Sequence, residues 1–183
     1  MLVASDLHGS LSALRFLASK AEELSPDLVL LLGDLVYHGP RNPLPEGYDT
    51  STFPEAMAAF AALSPSLLIV RGNCDAEVDL AVLPVRIASD AWLRLDNFDM
   101  YACHGHRIPE YPPIAGIHPG MAVLRGHTHI PRAETSEGVH FWNPGSLSLP
   151  KNGLPPSYGL YENGVFKVFT VGGQELMANT ISQ

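Results

Sequence analysis

Residues able to hold a metal recur along this chain in one kind of context, just after short apolar runs. Asp6 and His8 stand two apart in "SDLHG", Asp34 follows in "LGDLVYHGP" and Asn73 in "RGNCD". His104 lies in "ACHGH", and His127 and His129 stand two apart in "RGHTH". In extended chain, residues two apart point to the same face, so one pair can serve a single point or two adjacent ones. Imidazole is the commonest protein metal ligand. Asp6, Asp34, Asn73, His8, His104, His127 and His129 form a mixed oxygen and nitrogen set. Such a set suits Mn, Zn, Fe, Ni or Co better than Mg or Ca, and Mn is the first expectation. Seven ligands are too many for one tetrahedral ion and suit two divalent transition-metal ions, with one carboxylate shared and water completing the sites. Asp34 is the expected bridge, because it ends a strand expected to lie centrally. Without metal, buried aspartates would be costly.

The elements that must position these residues can be read from pattern. Residues 2–5, 27–34 and 66–73 read as buried strands, and residues 10–24 as a helix with Ser10 as its N-cap. Residues 54–63 read as a second helix entered through Pro54. This β-α-β-α-β alternation predicts parallel pairing with right-handed crossovers. Further on, residues 92–95 and 100–103 flank a hairpin turn, and residues 121–129 form a strand running into a turn. Residues 138–146, 157–171 (with its Asn163-Gly164 turn) and 175–182 read as antiparallel material. The expected fold class is therefore α/β, with two mixed β-sheets packed face to face in a single domain over residues 1–183. In open α/β sheets, ligands bind beyond the carboxyl ends of the strands. Gly33, Gly72, Gly105 and Gly126 each adjoin a candidate ligand, where a missing side chain lets backbone approach closely.

Bulk properties narrow the class. A chain of 183 residues with 46% hydrophobic and 16% charged residues is ordinary globular material. Its formal net charge of −8 disfavours nucleic acid as a partner, since that needs clustered Lys and Arg. No apolar run has the length of a membrane span, so no membrane partner is expected. The N-terminal residues lack the basic start and cleavage site of a signal peptide, and Cys74 and Cys103 are too few for a disulfide framework. A cytoplasmic protein with reduced thiols is the expectation; formation of a homo-oligomer is left open.

"DLHG", "GDLVYHGP", "GNCD", "CHGH" and "GHTH" occur in the order of the five motifs of the calcineurin-like metallophosphoesterases, which this chain resembles. "HGPRNPLPEGY" and "NPGSLSLPK" look more narrowly like the YfcE-type phosphodiesterases. The resemblance implies a four-layer fold, a two-sheet sandwich flanked by helices. It implies that Asp6, His8 and His129 hold one metal and Asn73, His104 and His127 the other, with Asp34 shared. It also implies hydrolysis of a small soluble phosphodiester by a metal-bridging hydroxide. Two divalent ions against two aspartates and a hydroxide leave a local charge of about +1, which would draw a phosphate to an acidic protein. Two other readings share the fold: a non-catalytic interaction scaffold like the retromer subunit, and a phosphomonoesterase or nuclease on the same site. All seven ligand positions are filled, which argues against the scaffold.

One motif departs from the family pattern. Where a histidine usually follows the asparagine, this chain has Cys74, and a thiol of ordinary pKa is a poor substitute acid. His38 or a water is left to protonate the leaving group, so His38 joins Asp34 as a catalytic candidate. Arg41, in the proline-rich loop 38–48, and Asn73 are the substrate-binding candidates. His106 reads as either a neighbour of the ligands or a surface residue, and His118 and His140 as structural. Asn143 is expected to orient a ligand histidine from the "NPGS" turn.

Overall fold

The computed structural model describes residues 1–64, 66–107 and 115–181. In chain order the elements are β1 (Leu2–Ala4), α1 (Leu11–Leu24), β2 (Val29–Leu31), α2 (Phe53–Leu63), β3 (Leu67–Ile69), α3 (Glu77–Val82) and β4 (Asp90–Leu95). They continue with β5 (Phe98–Cys103), β6 (Ala122–Leu124), β7 (Arg132–Ser136), β8 (Val139–Asn143), β9 (Ser157–Glu162), β10 (Val165–Thr170) and β11 (Glu175–Thr180).

Local chemistry accounts for the first helix. The Ser10 hydroxyl accepts the Ala13 N–H at 3.1 Å, which caps the N-terminus as its sequence predicts. Leu11, Leu14 and Leu17 are buried, so one face of α1 lies on the sheet. Ser25 ends it in the left-handed region at φ 44°. Helix α2 carries its proline in the first turn and buries Phe53, Met57 and Phe60.

The strands make two sheets, ordered β11-β10-β9-β1-β2-β3 and β4-β5-β6-β8-β7. Both helices lie against the outer face of the six-stranded sheet, where Leu2, Ala4, Leu31 and Ile69 meet Leu14, Leu17, Met57 and Phe60. The inner faces of the two sheets bury Val3, Leu30, Leu32, Met100, Leu124, Trp142 and Phe166 against one another. Trp142 and Phe166 stack with centroids 4.8 Å apart at the centre of that layer. On the far face of the second sheet, Tyr101, Val123 and Phe141 are covered partly by Ile117. The expected fold class, two mixed sheets in a sandwich with flanking helices, is the one observed.

The division of the chain differs from its sequence reading in several ways. The β1-β2-β3 core is parallel as expected, but the antiparallel strands β9, β10 and β11 complete this same sheet by pairing β9 with β1. Strands β5, β6 and β8 are parallel to one another, not antiparallel. The links β5 to β6 and β6 to β8 are too long for hairpins and cross over instead. Strand β7 escaped the sequence reading, although the two-residue Glu137-Gly138 turn, both at positive φ, marks a hairpin with β8. Strand β2 lies between β1 and β3 but one in from the edge, rather than at the sheet's centre. Ser182, at the end of the last predicted strand, lies outside the described residues.

Candidate metal centre

Each parallel strand ends in a candidate ligand or in a residue that supports one. Asp6 and His8 follow β1, Asp34 follows β2, Asn73 follows β3, His104 follows β5, and His127 and His129 follow β6. Residues 144–149 follow β8 and wrap the first of these turns: the hydroxyls of Ser146 and Ser148 both donate to the Asp6 carbonyl at 2.8 Å. Because parallel strands share a direction, their carboxyl ends gather at one rim of the sandwich. A ligand set spread over 124 residues of sequence thus converges.

The turns are tight, and five of the seven candidates bear the strain directly. Asp6, His8, Asp34, His127 and His129 all have φ between 48° and 64°, a region that side chains other than glycine rarely adopt. Clustering of such residues is a mark of functional sites, where the surrounding structure holds a costly backbone in place. The neighbouring glycines are needed for another reason. A Cβ on Gly72 would overlap Asp34 Oδ1, and one on Gly126 would overlap Ser5 Oγ and crowd Asp6 Oδ2.

Four side chains form a closed cluster. Asp6, His8, Asp34 and His129 are buried, with one ligand atom from each lying within 4.8 Å of the others. His8 Nδ1 is 2.7 Å from the Tyr37 carbonyl and His129 Nδ1 is 2.5 Å from the Leu149 carbonyl. A carbonyl can only accept, so both Nδ1 atoms carry a proton and each ring turns its Nε2 inward. Those two Nε2 atoms are 3.3 Å apart. Asp6 Oδ1, 3.3 Å from His129 Nε2, is buried with no hydrogen-bond partner. Two imidazole nitrogens and a carboxylate oxygen that meet at one buried point make a natural cage for a cation. The donor set therefore fits a transition-metal ion.

The second cluster is more open. His104 is buried and donates from Nδ1 to the Leu32 carbonyl at 2.6 Å, the same arrangement as in the first two histidines. Its Nε2 faces Asn73 Oδ1 at 3.0 Å and Asp34 Oδ2 at 3.3 Å. Asn73 and His127 are exposed; the His127 ring lies 5.2 Å from that of His104, and its backbone N–H donates to Asp6 Oδ2 at 3.2 Å. Asp34 Oδ2 also lies 3.7 Å from His8 Nε2, so this one carboxylate reaches both clusters.

Charges within the site follow from burial and proximity. Burial alone would lower His104, but the hydrogen bond to Asp34 and the charges of Asp6 and Asp34 outweigh it and raise the imidazole to about 9. Burial likewise opposes ionisation of Asp34, yet His104 and the Cys74 N–H (2.8 Å) hold it well below the usual carboxylate range. Burial, followed by the charge of Asp34, pushes the Cys74 thiol up to about 12.

Asp75 is a positioning residue that the sequence reading passed over. Its carboxylate accepts the N–H groups of Asp34 (2.9 Å), Leu35 (2.7 Å) and Gly72 (2.7 Å), locking the ends of β2 and β3 together. The signal was an acid directly after the turn, in "GNCD". Lys151 was also missed: its ammonium donates to Asn42 Oδ1 at 2.8 Å and ties the 38–48 loop to the segment beside His129. Asn143 does not orient a histidine ring. It donates to the Gly126 carbonyl at 2.8 Å and contacts Thr128 Oγ1 at 3.1 Å, so it braces the turn that carries the histidines.

The remaining candidates fall around the rim. His38 is half-buried, with Nδ1 3.3 Å from the Tyr48 hydroxyl. Its neighbour Gly39 faces Cys74 Sγ, where a Cβ would come within 3.3 Å. Arg41 is exposed, and no ion pair holds it among the described residues. The His106 ring lies 5.5 Å from His104 and 6.2 Å from His127, which places it beside the ligands rather than apart from them. His140 bridges Thr135 and Asn179 at 2.9 and 2.7 Å, the structural role expected of it.

A buried Asp/His cluster at the carboxyl rim of a two-sheet sandwich defines a class, and the comparisons agree with it. The model of the calcineurin-like phosphoesterase superfamily domain matches residues 1–163, and the chain belongs to that family. The phosphodiesterase YfcE of Escherichia coli K12 is 36% identical over 181 residues, covering 97% of this chain and 95% of the relative. The solved structure of E. coli YfcE, described as a phosphoesterase, superposes with a TM-score of 0.91 at 35% identity, over 99% and 98% of the two chains. Vps29 from Entamoeba histolytica, solved with Zn2+, shares the fold at a TM-score of 0.58 and 19% identity, over 99% and 98% of the chains. The chain is an enzyme of the phosphoesterase class.

Proposed function

We propose that this protein is a metal-dependent phosphodiesterase acting on a small soluble phosphodiester in the cytoplasm. In this reading Asp6, His8 and His129 hold one divalent ion, Asn73, His104 and His127 hold a second, and Asp34 is shared. The observation that carries it is the buried quartet with inward Nε2 atoms around an unpartnered Asp6 oxygen. The 36% identity to a phosphodiesterase along nearly the whole chain supports the substrate class. Mn is the preferred metal, with Zn, Fe, Ni or Co as alternatives.

When bound, two such ions supply positive charge to the phosphate and lower the pKa of an attacking water. The chain's own residues do the rest. Tyr37, Leu32 and Leu149 carbonyls fix the tautomer and aim of the three buried histidines. Asn73, exposed at the rim, offers its amide N–H groups to a substrate oxygen. His38, whose neighbour Gly39 faces Cys74, would protonate the leaving oxygen in this reading, whereas the Cys74 thiol holds its proton too tightly to do so. Arg41 offers an exposed cation to the incoming phosphate.

Metal-depleted protein reloaded with each ion, and assayed on matched phosphomonoesters and phosphodiesters, tests this reading. The expected result is a higher kcat/KM for diesters with about two ions bound per chain. Preference for monoesters, or no turnover with both sites filled, would overturn it.

A further inference from the structure

Beside the metal cluster the chain exposes an aromatic ring where a polar residue would be expected. Tyr37 is 42% exposed, yet its own carbonyl is the acceptor that orients buried His8 at 2.7 Å. The ring is therefore tethered within one residue of the metal-binding rim and still faces solvent. It does not stand alone. The rings of Tyr37 and His38 meet edge to face with centroids 4.9 Å apart, and those of His38 and Tyr48 at 5.2 Å. Leu44, in the same loop, is 62% exposed.

The row is held rigidly. The hydrogen bond to His8 anchors its start. Asn42 donates to the His38 carbonyl at 2.8 Å and accepts from Lys151 at 2.8 Å, which pins the loop to the segment behind His129. Gly9 leaves room for the far end, since a Cβ there would come within 2.8 Å of the Tyr48 ring. An exposed ring at the end of a half-buried aromatic row, fixed before any ligand arrives, loses little entropy on stacking. Its neighbour is a site for phosphate.

We infer that Tyr37, supported by His38 and Tyr48, is a specificity-determining platform that stacks a planar aromatic arm of the substrate, a nucleobase or an aryl ring. The inference rests on the phosphodiesterase reading and adds to it the class of ester group preferred. A flat ring stacks on such a surface whatever its hydrogen-bonding pattern, so nucleobases and simple aryl groups both qualify. Alkyl arms gain only the smaller contact of their own area.

Binding of phosphomonoesters, with released inorganic phosphate monitored so that any turnover is corrected for, tests the platform without relying on diester hydrolysis. Calorimetry on Mn-loaded protein would compare thymidine 5′-phosphate, phenyl phosphate and 2-deoxyribose 5-phosphate. Tyr37→Ala should weaken the first two roughly tenfold and leave the third unchanged, while Tyr37→Trp and Tyr37→Phe keep wild-type affinity. Loss for thymidine 5′-phosphate alone would restrict the platform to nucleobases, and loss for phenyl phosphate as well extends it to aryl rings. An equal loss for all three ligands, or no loss for any, overturns the inference. Metal content, measured on the same samples, shows whether His8 is still held. Diester assays run in parallel separate the two ideas: wild type that binds aromatics through Tyr37 but cleaves no diester sinks the phosphodiesterase reading and leaves the platform standing.

Discussion

The two clusters of the metal centre are built from the same residue types and differ in what stands behind them. In the first, every side chain is buried and both histidines are braced by a backbone carbonyl. In the second, only His104 has that bracing, and Asn73 and His127 lie open to solvent. A braced, dry cluster holds its donors in one geometry before metal arrives, and so binds more tightly. An open cluster leaves coordination positions free for a substrate, as sites of catalysis must. Under the two-ion reading proposed above, the inner cluster would secure one ion and the outer one would present the other to phosphate.

Asp34 is the residue whose loss should erase the distinction. It reaches His104 at 3.3 Å and His8 at 3.7 Å, and its Oδ1 accepts the Cys74 N–H. Asp34→Asn removes the charge common to both clusters while keeping the shape. Turnover should fall on the order of 10³-fold or more, with both ions bound more weakly in metal analysis. A variant that retained activity within tenfold of wild type would show that the clusters act independently.

Asn73→Ala should separate them instead. The change touches only the open cluster, so a metal titration of chelated protein should keep its tight phase and lose its weak one. Activity should drop at least the roughly 10–100-fold typical of losing even an outer partner of a metal site. If the tight phase vanished as well, the proposed asymmetry would be wrong.

How much of this was legible beforehand depends on the kind of information involved. Candidate ligands are marked by residue type, and Asp6, His8, Asp34 and His104 can be picked out because polar, metal-binding side chains directly after apolar strands are otherwise costly. Their support is carried by backbone, which any residue supplies. No side-chain property marks Tyr37, Leu32 and Leu149 as the acceptors for three histidines. The left-handed φ of Asp6, His8 and Asp34 is equally silent, since glycine would be the usual signal for such turns. Pairing direction failed for a related reason. Strands β5, β6 and β8 are short and apolar, and only the length of the links between them separates parallel from antiparallel order.

Cys74 sits at the border of the two clusters, and replacing it should alter selectivity more than overall rate. The thiol, pushed up to about 12, keeps its proton throughout the working range and gives little help to a departing alkoxide. Aryl oxides leave without such help. The wild-type enzyme should therefore show a steep dependence of kcat/KM on leaving-group pKa, and Cys74→His should flatten it by accelerating alkyl diesters. The gain should approach the lower end of the roughly 10²–10⁴-fold that acid catalysis supplies. Cys74→Ala should change little. A shallow slope in wild type, or loss of activity in Cys74→Ala with metals intact, would assign the acid to His38 or to the thiol itself.

The smallest effect is expected outside both clusters, at Arg41. Its side chain is exposed and held by no ion pair among the described residues, whereas Asn42, the next residue, is fixed by Lys151. The backbone of this loop is thus ordered while the guanidinium is free to meet a phosphate. A cation that engages the substrate before reaction stabilises ground state and transition state alike, so its loss appears in KM rather than kcat. Solvent screening limits the contribution to that of an exposed ion pair, about 1 kcal/mol or less, which corresponds to a rise in KM of roughly twofold to fivefold. Arg41→Ala should show that rise with kcat unchanged, and the difference from wild type should shrink in high salt. An effect on kcat alone would instead bring Arg41 into contact with the reacting phosphate, making the open cluster's surroundings as organised as those of the closed one.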